Sequence, residues 1–271
     1  MNGAVDSHCH VFDPAHFPFA ADASYTPPPA EQGTAEQLAA LLDANGIAYA
    51  LLVNPTSGYG YDNRYMIATL RAAQGRLRGI ARVRADAGEP ELASLAAAGV
   101  IGVRLDLIGD GVGMLHHRAL PRLFAQLRDL RWQVHVQCEK DQLSEAAPVL
   151  RAAGVPLVFD HCGRPDAALG TSQPGFQALL QFGREGHAVK LSGPFRFSCR
   201  PPPYRDVVPF IDALVEAFTP RRCVFGSDWP FVRLQDRPDY GAVLALLCRW
   251  LPDEDARREV LCATPARLFG F

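Results

Sequence analysis

Asp6, His8 and His10 alternate with Ser7 and Cys9 in the opening stretch Val5-Asp6-Ser7-His8-Cys9-His10. Side chains two apart on a strand share a face, so this spacing sets two imidazoles and a carboxylate side by side. Such a pair can hold a metal, polarise a carbonyl or pass a proton. The competing reading is two surface histidines on a loose N-terminal segment. Further along, His161 and Asp228 add a third imidazole and a second carboxylate, and Arg104, Arg164 and Arg196 add guanidinium groups. Three imidazoles and a carboxylate are costly to bury together without a function.

These residues need elements that bring them together. Short apolar runs at Tyr49–Val53, Gly79–Val83, Gly102–Leu105, Trp132–Val136, Leu157–Asp160, Val189–Leu191 and Cys223–Phe225 read as strands after the first one. Amphipathic stretches lie between them, at 63–73, 89–98, 117–130, 143–153, 176–183 and 207–218. Several of these end in a glycine ahead of the next strand, as at Gly46, Gly75, Gly99 and Gly154. Wholly apolar strands alternating with helices mean a parallel sheet, and eight of them predict a closed (β/α)₈ TIM barrel of the α/β class. No Gly-x-Gly-x-x-Gly follows the first strand, which argues against a dinucleotide-binding sheet. One domain over 1–271 is expected. The proline-rich, aromatic segment 12–33 is too long for an ordinary connection and reads as a lid.

In such barrels the chemistry sits where strands end. The strand ends supply Asn54, Thr56 and Ser57, then Arg82 and Arg84, Arg104 and Asp106, His135 and Gln137, Asp160 and His161, Lys190 and Ser192, and Ser227 and Asp228. Several have a plain structural reading. Asp160 suits a bond to a neighbouring histidine or a loop amide, and Asp106 a loop cap. Arg82 and Lys190 suit buried ion pairs, and His135 an interior position. His16, His116, His117 and His187 read as surface residues.

With 27 basic and 29 acidic residues, a net charge of −2 gives no electrostatic reason to expect nucleic acid as a partner. No charged-then-apolar leader or bilayer-length apolar run is present, so the cytoplasm is the expected location and no membrane partner is expected. The seven cysteines are scattered with no C-x-x-C pair, which suits reduced thiols. Cys9, Cys138 and Cys162 should face the helices as packing. Nothing in the sequence sets an oligomeric state.

Taken together, Asp-Ser-His-Cys-His, Gly-Val-Arg-Leu-Asp-Leu, Asp-His-Cys-Gly-Arg-Pro-Asp (160–166), Val-Lys-Leu-Ser-Gly (189–193), Gly-Ser-Asp-Trp-Pro (226–230) and the closing Thr-Pro-Ala-Arg-Leu-Phe-Gly resemble the amidohydrolase superfamily. Within it the match is to the branch of 2-pyrone-4,6-dicarboxylate lactonase and related sugar lactonases. The resemblance implies a hydrolase that opens a carboxylated lactone. His8, His10 and His161 would surround the carbonyl, Asp228 would activate water, and Arg104 and Arg196, helped by Arg164, Ser57 and Gln137, would bind a small anionic substrate. Two positions depart from the pattern: Leu107–Asp110 carries no second arginine, and Gln137 stands where relatives carry Tyr or His. The superfamily's bridging lysine has no counterpart at Arg104. That argues against a binuclear centre, and the resemblance implies that no cofactor is needed, the alternative being a single zinc ion on His8, His10, His161 and Asp228. The alternatives to a lactonase are a metal-dependent decarboxylase or hydratase of the same superfamily, and a non-catalytic ligand-binding barrel.

Overall fold

Eight short strands, three to seven residues long, pack edge to edge and are buried on both faces almost throughout. The computed structural model describes residues 3–271, so the first two positions of the expected 1–271 domain lie outside the described residues. The strands are β1 (Val5–Cys9), β2 (Tyr49–Val53), β3 (Leu77–Ala81), β4 (Val100–Asp106), β5 (Gln133–Gln137), β6 (Leu157–Phe159), β7 (Ala188–Ser192) and β8 (Cys223–Gly226). They pair in parallel in the order β1 to β8. The two ends of the sheet meet above the last ladder residues, where the N–H groups of Asp228 and His10 donate to the carbonyls of His8 and Trp229, both at 2.8 Å. The TIM-barrel expectation holds.

Helices α1 (Ala35–Ala44), α2 (Arg64–Ala72), α3 (Glu89–Ala97), α4 (Leu120–Asp129), α5 (Gln142–Ala152), α6 (Pro174–Arg184) and α7 (Val208–Phe218) fill the connections. Each buries one stripe. In α4 the buried residues Leu120, Leu123, Phe124 and Leu127 fall at helical spacing on one face. Thr34 opens α1 with a reciprocal capping box to Gln37. After β8 come α8 (Tyr240–Trp250), α9 (Glu254–Arg258) and α10 (Thr264–Phe269).

The third strand lies two residues earlier than expected, at Leu77–Ala81. The Asn63 side chain takes both the N–H and the carbonyl of Arg82, so a side chain ends this ladder and Arg82 sits beyond it. Inside the barrel, alternate residues form layers. Leu51, Val53, Ile80, Val158, Ala188 and Val224 make an apolar floor, plugged from below by Phe269 of α10. Two residues beyond Val158 and Ala188 come Asp160 and Lys190, which with His8, Arg104 and His135 make a polar group, all at most 4% exposed. Cys9, Cys138 and Cys162 are buried in the larger core, as expected of packing thiols.

The segment 12–33 is irregular apart from one 3₁₀ turn at Pro29–Glu31. Its ends are pinned where Phe12 N–H donates to the Gly33 carbonyl at 2.7 Å, and Phe12 and Phe19 pack on Tyr59. Glu31 ties it to the β8 loop by accepting from Tyr25 Oη and from the Arg233 N–H, both at 2.8 Å. Among the described residues no helix is long and apolar enough to cross a membrane.

Asp6 joins three parts of the barrel. It is fully buried and accepts from the N–H groups of His8 (3.1 Å) and Ser227 (2.9 Å) and from Tyr240 Oη (3.0 Å). Removing this acceptor strands three donors, at a cost on the order of 3 kcal/mol or more. Asp6→Ala should lower the melting temperature by roughly 6–12 °C. Asp6→Asn, which keeps the oxygen that both N–H groups use, should cost far less. Thermal denaturation followed by circular dichroism compares the two.

Candidate active site

The mouth of the barrel opens into a cavity of about 660 Å³, whose wall includes His10, Ser57, Arg104, Gln137, His161, Arg164, Arg196 and Asp228. Eight of the nine residues expected to form the site therefore share one space. His8, the ninth, is fully buried and absent from the wall, behind His10 and His161 with ring centroids 4.9 and 4.5 Å away. It reaches the cavity only through its neighbours.

The geometry centres on Asp228. Its Oδ1 lies 3.4 Å from His10 Nε2, 3.8 Å from His8 Nε2 and 3.8 Å from His161 Nε2. Its Oδ2 accepts from Arg196 Nε at 2.7 Å. Burial alone would raise this carboxyl's pKa, but Arg196 first and His161 next hold it well below the usual carboxylate range. Asp228 is thus ionised and keeps one oxygen free toward the imidazoles. Its backbone adopts φ +64°, and His161 adopts φ +50°, both in the left-handed region that side chains rarely enter.

His161 is held from behind by Ser192 Oγ at 3.0 Å. Burial lowers its pKa to about 3, so it is neutral near pH 7. Close contact here depends on Gly193, where a Cβ would fall 2.8 Å from His161 Nδ1. Gly226 does the same for His8, since a Cβ there would lie 2.6 Å from the His8 Cβ. His10 Nδ1 donates to the Val53 carbonyl at 2.7 Å, an oxygen that can only accept.

Arg104 and Arg196 were expected to clamp a substrate carboxylate, yet each already spends a nitrogen inside the protein. Arg104 Nε donates to Asp160 at 2.9 Å. Arg196 uses Nε on Asp228 and Nη1 on the Val232 carbonyl, at 2.6 Å. A buried carboxylate needs a cation beside it, and these arginines meet that need first. Only their remaining N–H groups face the cavity. Arg164 pairs with Glu139 at 3.0 Å, while its Nε is buried without a partner. Gln137 Oε1 is also buried without a partner.

The plainer expectations hold for several neighbours. Asp106 caps its loop by accepting from the Ile108 and Gly109 N–H groups. Arg82 pairs with Asp110 at 2.6 Å, and His135 is interior. Asp160 bonds cations instead of a loop amide: Lys190 Nζ sits 2.9 Å from Oδ1, opposite Arg104. Burial pushes its pKa up, but Lys190, His8 and Arg104 together hold it well below the ordinary value. Burial draws Lys190 below the usual lysine value, with Asp160 opposing. His187 is half-buried, not a surface residue, and its Nδ1 accepts from the Leu157 N–H. Ser24, Phe195 and Arg233 line the cavity from loops that carried no motif.

Two groups of side chains have metal-ligand spacing: His8, His10 and Asp228, and His8, Asp160 and His161. Ligand atoms around a tetrahedral zinc stand about 3.3 Å apart. His8 Nε2 and His10 Nε2 are 3.2 Å apart, close to that edge. The back of His8 fits less well. A metal-bound imidazole wants an acceptor for its other N–H, and here His8 Nδ1 faces the Lys190 ammonium at 3.0 Å.

A protein-family model described as an amidohydrolase matches residues 5–271. The chain belongs to the amidohydrolase family. Among this amidohydrolase's relatives, 2-pyrone-4,6-dicarboxylate hydrolase of Comamonas testosteroni is 36% identical, over 98% of this chain and 90% of its own. 4-Sulfomuconolactone hydrolase of Rhizobium radiobacter is also 36% identical, over 99% and 90% of the two chains. The crystal structure of a probable 2-pyrone-4,6-dicarboxylic acid hydrolase from Acinetobacter baumannii, with citric acid bound, superposes with a TM-score of 0.90. It is 27% identical, over 99% of this chain and all of that one.

The buried neutral imidazoles set a pH dependence of stability. His8, His135 and His161 all have pKa values lowered chiefly by burial. As pH falls below 6.5 the unfolded chain takes up protons that the folded chain refuses, so stability is lost on acidification. The slope is about 1.4 kcal/mol per pH unit for each histidine. Urea midpoints should fall steeply between pH 6.5 and 5, and His135→Leu should remove one histidine's share of that slope. A flat profile would contradict the assignment.

Proposed function

We propose that this amidohydrolase opens a carboxylated lactone by hydrolysis. The reading rests on one observation: a free oxygen of an ionised Asp228 is ringed by three imidazoles at one end of a cavity that also carries Arg104, Arg164, Arg196 and Arg233. The activities of the named relatives support it. In the Rhizobium and Comamonas proteins the substrate is an anionic lactone by name, and the Acinetobacter structure holds a tricarboxylic acid.

Asp228 Oδ1 takes a proton from water as the oxygen attacks the lactone carbonyl carbon. The carbonyl π bond opens, and the resulting oxyanion is met by the His161 N–H and by the guanidinium N–H groups of Arg104 and Arg196 that face the cavity. Collapse breaks the ring C–O bond, and Asp228 returns its proton to the departing alkoxide. The product is a hydroxy acid, or its keto form where the ring oxygen was enolic. Arg164 and Ser57, in the cavity wall, bind the substrate carboxylate, and Gln137 bonds a polar substituent of the ring.

No step here passes through a metal. Turnover should survive exhaustive treatment with a chelator, and a loss restored by added zinc would favour the metal-dependent decarboxylase or hydratase instead. A screen of 2-pyrone-4,6-dicarboxylate, muconolactones and aldonolactones, with and without chelator, separates the two. Asp228→Asn should lower kcat/KM by about 10²–10⁴ on whichever lactone is turned over. Near-full activity in that variant would refute the mechanism. Arg164→Met should raise KM by roughly 10–100-fold for a carboxylated lactone with little change in kcat. An uncarboxylated analogue should respond far less.

A further inference from the structure

The hydrogen-bond chain behind the cavity has a direction that both of its ends dictate. At one end, Lys190 Nζ lies 2.9 Å from Asp160 Oδ1 and 3.0 Å from His8 Nδ1, with all three residues wholly buried. An ammonium can only donate, so His8 Nδ1 must be the acceptor. A neutral His8 then carries its proton on Nε2. At the other end, His10 Nδ1 meets the Val53 carbonyl at 2.7 Å, and that oxygen can only accept. His10 therefore carries a proton on Nδ1, and a neutral ring leaves Nε2 bare. Between these ends His8 Nε2 and His10 Nε2 lie 3.2 Å apart, with the rings at 88°. The remaining proton has one place to go: from His8 Nε2 toward His10 Nε2.

We propose that Lys190 is a positioning residue that fixes His8 as the Nε2–H tautomer, making the first histidine of the His-x-His pair a hydrogen-bond donor and not a metal ligand. A ligating imidazole must present a bare nitrogen. To free Nε2, His8 would have to move its proton to Nδ1, directly against the ammonium. The one acceptor near Nδ1 is Asp160 Oδ1, 3.4 Å away and ion-paired with Lys190, and it accepts no hydrogen bond from the ring. Lys190 thus closes the His8–His10–Asp228 triangle to a divalent ion although its edges of 3.2, 3.4 and 3.8 Å suit one. It does so without touching the cavity. The assignment concerns the site of the proposed hydrolysis but does not depend on the substrate.

Two measurements on metal-free protein without substrate test it. In protein labelled with ¹⁵N in its histidine rings, long-range ¹H–¹⁵N spectra distinguish a protonated from a bare nitrogen. Signals are assigned by their loss in His8→Gln and His10→Gln. Near neutral pH, His8 should show a protonated Nε2 and a bare Nδ1, and His10 the reverse. A His8 protonated on Nδ1 would overturn the proposal. Zinc(II) titrations against a chromophoric chelator provide the second readout, with Lys190→Met expected to bind zinc at least tenfold more tightly than the wild type. Equal affinities would also overturn it. Should Lys190→Met fail to fold, the wild-type spectrum alone decides.

Discussion

A carboxylate locked between two cations beneath the cavity, Asp160 with Lys190 and Arg104 at 2.9 Å each, governs how the site above it is arranged. Burying any one of these charges alone would cost several kcal/mol, so each is tolerated only because the others are present. The cluster is better understood as a positioning device than as a source of stability, since an apolar layer of equal volume could fill the same space. Its consequences run upward. Arg104 is turned down by its Nε, which leaves its other nitrogens toward the cavity. Lys190 reaches past Asp160 to His8 and sets which of that ring's nitrogens bears the proton.

The same logic recurs one layer higher. Arg196 is to Asp228 what Lys190 is to Asp160, a cation that keeps a buried carboxylate ionised. Asp228 is left with a single free oxygen, and three imidazoles surround it. Charge at the mouth is thereby shared between structural pairing and ligand binding. The guanidinium groups offer partial valence to a substrate, and the carboxylate keeps a fixed orientation before any substrate arrives. Preorganisation of this sort lets a polar site act without reorganising during the reaction.

Close backbone approach makes the arrangement possible. Gly193 and Gly226 admit the rings of His161 and the Cβ of His8 at distances that no side chain would permit. Asp228 and His161 occupy left-handed backbone just past their strands, which turns their side chains back over the barrel mouth. The apolar floor plugged by Phe269 then seals the polar layer from solvent at the opposite end.

Periodicity was enough to read the barrel in the sequence. Apolar runs alternating with amphipathic helices admit few other packings, and the two-residue repeat along each strand put His8 with His10 and Arg104 with Asp106 on common faces. The motifs around 160–166 and 226–230 marked His161 and Asp228. What the sequence could not state was who bonds whom. Arg104 and Arg196 read as free clamps because side-chain type reveals charge and not partner, and the partners lie 56 and 32 residues away along the chain. His8 read as a cavity residue because alternation gives a face and not a depth. Lys190 read only as an ion-pair member, since its contact with a ring 182 residues distant exists only once β7 and β1 stand across one barrel. Residue chemistry and repeat length are local properties and survive in the linear chain, whereas proton position and pairing are set by distances that folding alone creates.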